Sequence, residues 1–147
     1  MSTGTFDKQV KDITRRVEDL LLAAVKNTIR KVVEEAQTPV REGGKMRVDT
    51  GFMRWSGTAA LNEMPAGLTK GRLRKKGEEG VLPEYAMKEV GGKMLNSVLV
   101  DMKVGDIFYF GWTAEYAPHW EMYDGFMISA VNNFNFHFNE EVGRLRK

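Results

Sequence analysis

Gly105-Asp106-Ile107-Phe108-Tyr109-Phe110-Gly111-Trp112-Thr113-Ala114-Glu115-Tyr116-Ala117-Pro118-His119-Trp120-Glu121-Met122-Tyr123-Asp124-Gly125-Phe126-Met127-Ile128-Ser129-Ala130 holds eight of the chain's fifteen aromatic side chains. It carries four carboxylates (Asp106, Glu115, Glu121, Asp124) and no Lys or Arg. Aromatic side chains bury large areas. A stretch this dense reads as the place where the rest of the chain meets: two amphipathic ends and a basic, glycine-rich middle.

Just upstream, Leu95, Val98, Val100 and Met102 alternate with Asn96, Ser97, Asp101 and Lys103, with Leu99 out of phase. Gly105-Asp106 is a turn signal, and the pattern predicts a β-hairpin over 94–113. Its second strand has Ile107 and Tyr109 on one face and Phe108, Phe110 and Trp112 on the other. A strand apolar on both faces is expected at the centre of a sheet or between layers. Downstream, a short helix is expected near Glu115 to Tyr123, ended by Asp124-Gly125. A last helix follows over 126–145, where Met127, Val131, Phe134, Phe138, Val142 and Leu145 recur at helical spacing. The basic tail at Arg144, Arg146 and Lys147 suits a helix C-terminus.

At the other end, Phe6, Val10, Ile13, Val17, Leu20, Ala24, Thr28 and Val32 recur in steps of three and four. Leu21, Val25, Ile29 and Val33 form a second row, opposite Lys11, Arg15, Glu18, Lys26, Arg30 and Glu34. The spacing predicts a long helix over 6–37, ending before Pro39. About thirty helical residues span ~45 Å, more than a small domain needs. The apolar face is therefore either a core face alone or a core face whose excess is covered by another subunit. Thr38 to Met46 reads as a loop. Asp49 or Thr50 is a good N-cap for a short turn carrying Phe52, Met53 and Trp55, with a strand to follow near Gly57 to Met64.

Residues 65–93 are the least patterned. They hold six glycines and, at Lys70, Arg72, Arg74, Lys75 and Lys76, five cations within seven residues. One reading is a mobile solvated loop. The other is an arm that meets phosphates or an acidic partner surface and orders on contact.

Composition bounds the rest. A chain of 147 residues, 42% apolar and 29% charged, is expected to fold as one domain over 1–147 with a real core. A net charge of +2 carries no message about nucleic acid. No apolar run approaches the ~20 residues of a membrane span, and charges at Asp7, Lys8, Lys11 and Asp12 interrupt any signal sequence. With no Cys, thiolate metal sites and disulfides are excluded, and synthesis in a reducing cytoplasm is expected.

Signs of catalysis are weak. Any Ser or Thr nucleophile must rely on His119 or His137, and neither lies in a nucleophile-elbow setting. His119 and Glu121 lack a further ligand at metal-site spacing, so His119 is read as packed among aromatics. No glycine-rich piece has phosphate-loop order. Aromatics interleaved with cations bind single strands, but here the aromatic stretch is acidic and the cations lie elsewhere, which favours a core and interface cluster. The expectation is no enzyme, no cofactor and no metal.

Two pieces together carry a resemblance. Val48-Asp49-Thr50-Gly51-Phe52-Met53-Arg54-Trp55-Ser56 resembles the V-D-T-G-x-L-R-x-S signature of small tail-completion, or head-to-tail joining, proteins of long-tailed bacteriophages. Phe110 to Glu121 is similar to that family's G-x-x-x-x-Y-A-x-x-x-E segment, and Gly125 to Ala130 to its G-F-hydrophobic-x-x-A start of the last helix. The order of elements fits as well. Departures are Phe52-Met53, Trp55, a long basic loop, and Tyr123-Asp124 between the two later motifs.

The resemblance implies a non-catalytic virion protein of the neck or tail, made in the host cytoplasm, that joins tail to head. Implied partners are further copies of itself in a ring, a hexamer among the options, other neck and tail proteins, and DNA in the channel. A tail-terminator ring and a small nucleic-acid-binding module using residues 70–76 are the alternatives. The resemblance also assigns roles: Asp49 or Thr50 capping the turn that holds Phe52, Gly51 allowing close backbone approach, and Tyr116 and Trp120 beneath the final helix. Glu121 would bond inward to Arg54. The expected fold is α+β, an antiparallel sheet of about four strands against a long N-terminal and a C-terminal helix.

Overall fold

The computed structural model describes residues 3–48, 52–65 and 92–146. Asp49, Thr50, Gly51 and the cations at Lys70, Arg72, Arg74, Lys75 and Lys76 lie outside the described residues. So does most of the expected loop, although Gly92 and Lys93 already belong to a helix.

Helix α1 spans Thr3–Gln37, 35 residues, or about 52 Å. It stops where Pro39 disfavours the helical region for the residue before it. Thr38 Oγ1 donates to the Glu34 carbonyl at 2.7 Å and covers one of the open carbonyls there. A single 3-10 turn (Val40–Glu42) then doubles the chain back. Val40 N donates to Met46 O at 3.0 Å, and Met46 N donates to Thr38 O at 3.2 Å. Next come α2 (Phe52–Trp55), β1 (Gly57–Leu61), α3 (Gly92–Asp101), β2 (Phe108–Trp112), α4 (Ala117–Asp124), α5 (Phe126–Asn132) and α6 (Phe134–Leu145).

β1 and β2 pair antiparallel, with Gly57 opposite Trp112 and Leu61 opposite Phe108. Gly57 permits that register, because a Cβ there would sit 2.6 Å from Gln37 Nε2 and 2.8 Å from Phe110 Cζ. At the far end Asn62 takes φ 62°, a left-handed conformation that Asn tolerates. Its side chain donates to Asp106 at 3.1 Å and accepts from Ile107 N at 2.9 Å. This clasp ends β1 at Leu61, three residues before the expected Met64.

Among the described residues two clusters of buried side chains make the core. The first joins Ile29 and Val33 of α1 to Ala59, Leu95, Leu99 and Met102, with Phe108 and Phe110 packed against it. The second joins Met46, Phe52, Met53, Ala114, Ala117 and Phe126, flanked by Trp112, Tyr116 and Trp120. Phe110 meets Trp112 edge-on at 5.1 Å and Trp112 meets Phe126 at 5.0 Å, so one aromatic row links the two.

Three expectations are corrected. The hairpin over 94–113 does not form, because Gly92–Asp101 is helical. Leu95, Val98, Leu99 and Met102 fall at helical spacing and point inward, so the out-of-phase Leu99 belonged to the true period. β2 therefore pairs with β1, and among the described residues the sheet has two strands, with all of β2 half-buried rather than enclosed. The helix over 126–145 is split at Asn133, whose side-chain amide donates to Glu35 at 2.6 Å. Phe126 and Ala130 of α5 face inward, while Met127 and Val131 face outward.

α6 packs on the second half of α1 through a buried carboxylate. Glu141 accepts from Lys31 at 2.9 Å, from Arg144 at 2.7 Å and from Asn27 at 3.2 Å. The Lys31 and Arg144 bonds outweigh burial and hold its carboxyl at about 2 rather than 4.5. A carboxyl depressed by folding stabilises the fold above 4.5 and stops doing so as pH falls through about 2. Glu141→Gln is expected to cost roughly 1–3 kcal/mol at neutral pH, since Lys31 and Arg144 remain partly solvated. In acid melting curves, the gap between wild type and Glu141→Gln should close between pH 4.5 and about 2. A gap that stays constant over that window contradicts this role.

Candidate assembly surface

The residues of the aromatic stretch are set by how α4 turns into α5. Gly125 lies between them at φ 61°, ψ 38°, a left-handed conformation natural to glycine, and donates its N–H to Glu121 O at 2.9 Å. The turn brings the Glu121 carboxylate onto the start of α5. Its two oxygens accept from Met127 N at 2.8 Å and Ile128 N at 2.9 Å. An anion there satisfies amides that the helix itself leaves open. The expected Glu121–Arg54 pair is thereby corrected: both oxygens face backbone donors of the following helix. Arg54 is half-buried on α2 and its carbonyl accepts from Gln37 Nε2 at 3.2 Å.

Beneath this turn, Phe126 is buried against Trp112, and Phe52 lies 6.2 Å from Tyr116 and 6.1 Å from Trp55. Tyr116 and Trp120 flank the same cluster. Residues of both sequence motifs thus meet in one cluster. Ser56, the last residue of the first motif, fastens it: its hydroxyl donates to Met53 O at 2.7 Å and accepts from Ala114 N at 3.1 Å. Arg47 makes a two-pronged pair with Asp124 at 2.8 and 3.2 Å and lies 4.6 Å over the Trp120 ring. Arg47 carries no signal in the sequence, since one cation in a loop has many ordinary uses. Beside Arg47 a groove of about 540 Å³ is lined by Pro39, Val40, Arg41, Val48 and Asp124.

His119 lies exposed on α4, 4.8 Å from the Trp120 ring and 4.9 Å from Tyr123. His137 lies on α6 and meets Glu35 at 3.2 Å. The fold places the two histidines in different surroundings. Among the described residues no group of three His, Asp or Glu could hold a metal ion, and no helix is long and apolar enough to cross a membrane.

What the surface does offer is uncovered apolar side chains. Every residue from Gly4 to Asp19 on α1 is exposed, including Phe6 at 67% and Ile13 at 61%. The body covers α1 only from about Leu20 onward, through Ala24, Thr28, Ile29 and Val33. A second exposed group, Met122, Tyr123, Met127, Ile128 and Val131, belongs to α4 and α5. In comparisons with protein-family models, curated proteins and solved structures, nothing matches the chain.

Removing the Glu121 carboxylate strips two bonds from the α5 start. Glu121→Ala is expected to cost about 1 kcal/mol, the usual worth of an N-terminal cap, seen as a melting point lower by roughly 2–4 °C. Glu121→Gln keeps one acceptor oxygen and should lose about half as much. Equal melting points for all three proteins would show that the carboxylate does not hold α5.

Proposed function

We propose that this chain is a non-enzymatic structural protein of a long-tailed bacteriophage that completes the tail or neck. It works by assembling with copies of itself and docking tail to head. The observation that carries the assembly reading is the apolar stripe left uncovered on the first half of α1. A monomer rarely exposes a contiguous apolar surface of that extent without a partner for it. The place in the particle rests on the resemblance in the V-D-T-G, Y-A and G-F segments, whose described residues Phe52, Tyr116, Trp120 and Phe126 share one cluster. In this reading the cluster is a rigid mount, and α1 and the basic stretch make the contacts.

In this reading the chain needs no chemistry of its own. Joining two preformed structures requires only surfaces that become buried together, and ring closure multiplies each weak contact around the axis. The five cations between Lys70 and Lys76 are assigned to an acidic surface of a neighbouring ring, ahead of DNA in the channel.

The test is a phage lysate lacking this chain. DNA-filled heads and finished tails should accumulate unjoined, and adding the purified protein should restore joined, infectious particles. Normal particles without the chain would end the reading. Tails of uncontrolled length would point to a tail terminator instead. Replacing Lys70, Arg72, Arg74, Lys75 and Lys76 by Ser should cut joining by roughly tenfold or more, and binding to duplex DNA that falls steeply with salt would favour the nucleic-acid reading.

A further inference from the structure

The exposed half of α1 carries a more regular pattern than its buried half. Phe6, Val10, Ile13, Val17 and Leu20 follow steps of four, three, four and three. That is a mean of about 3.5 residues, the heptad repeat of helices that coil around one another. Beyond Leu20 the row continues through Ala24, Thr28 and Val32 in steps of four, where α1 meets its own body. The seam period thus belongs to the segment that the body leaves bare.

In heptad terms the seam places Val10 and Val17 at a positions and Phe6, Ile13 and Leu20 at d positions. The outer positions are almost all charged (Lys8, Lys11, Asp12, Arg15, Glu18, Asp19), whereas among the seam's flanks only Asp7 and Arg16 carry charge. Such a stripe asks for a helical partner of equal length. From Phe6 to Leu20 the seam runs about 21 Å. α5, which bears the other exposed apolar group, has seven residues and reaches only about 10 Å. Among the described helices, the arm itself is the one with an exposed stripe of matching length.

We infer that the arms of neighbouring copies pack on one another in parallel, a-to-a and d-to-d, so that the covering partner of each arm is a second copy of the same segment. This inference rests on the self-assembly part of the reading above, not on the place in a virion. Parallel packing sets Gln9 beside Thr14 of the next copy and Arg16 beside Leu21, with no like charges opposed. Antiparallel packing with Ile13 on Val17 would instead set Arg16 against Arg16. Parallel arms also leave every body at the same end, as a cyclic ring requires. Two stripes face to face hide on the order of 1,000 Å², near the lower bound for a specific interface. An unsupported helix of this length is marginal alone, so pairing also keeps the arm helical.

The absence of cysteine makes the test clean. In the full chain, Val17→Cys places thiols at facing a positions, while Arg15→Cys places them outward. Under mild oxidation, Val17→Cys should form disulfide-linked dimers at least roughly tenfold faster than Arg15→Cys, because only facing positions meet the required Cβ separation. Adding Ile13→Asp to Val17→Cys should abolish the linkage and reduce the solution mass to that of one chain. The circular dichroism of the body should survive, since Ile13 and Val17 are exposed and belong to neither core cluster. Equal linkage rates for the two cysteines would overturn the parallel seam. So would linkage of Val17→Cys to Ile128→Cys in a mixture but not to itself; that result places the arm on a neighbour's α5 and leaves self-assembly standing. A single-chain mass at every concentration, with no linkage, removes both.

Discussion

A helix of 35 residues meets a body that covers only its second half, and most of the molecule's behaviour follows from that mismatch. From Ala24 to Gln37 the helix is a wall of the core, with Ile29 and Val33 against α3 and the sheet and Lys31 and Glu35 against α6. From Gly4 to Asp19 every residue of the same helix is exposed. Isolated helices of that length are marginal in water, and this one displays Phe6, Val10, Ile13 and Val17 along a face. The described body anchors the arm at its second half and sets its direction.

The body can act as an anchor because its two core clusters are bonded into one. The row Phe110, Trp112, Phe126 crosses from one to the other through edge-on ring contacts. Three polar side chains fasten the elements around it: Ser56 between α2 and the end of β2, Glu121 at the start of α5, Glu141 between α1 and α6. Each fastener joins elements far apart in sequence or fixes a turn, which limits how far the arm's base can move.

How much of this the sequence shows depends on whether a signal is local. The end of α1 is legible because Pro39 acts on its immediate neighbour, and the α4–α5 turn because Gly125 supplies the left-handed residue. Helix α3 is misread because Val98, Val100 and Met102 also fit an alternating pattern, and only Leu95 and Leu99, on the other parity, separate the two periods. The break at Asn133 cannot be read locally. The apolar period runs through it, and the Asn133 side chain bonds to Glu35, some hundred residues earlier. Glu141 hides for a related reason: a helix carboxylate is usually solvated, and the donors that bury this one include Lys31 and Asn27 on α1. Its position seven after Phe134 was the available clue. The exposed stripe of α1 was visible as an excess of apolar residues, but its division into a bare and a covered half required the body's dimensions.

The central claim is that the first half of α1 is ordered by contact with other copies. Amide hydrogen exchange over residues 4–19, followed as protein concentration rises, tests it most directly. The account predicts weak protection in dilute solution that climbs with concentration, while α3 and the second half of α1 stay equally protected throughout. Arm amides that exchange at the rate of an unstructured peptide at every concentration, or that are fully protected in a single chain, would contradict it.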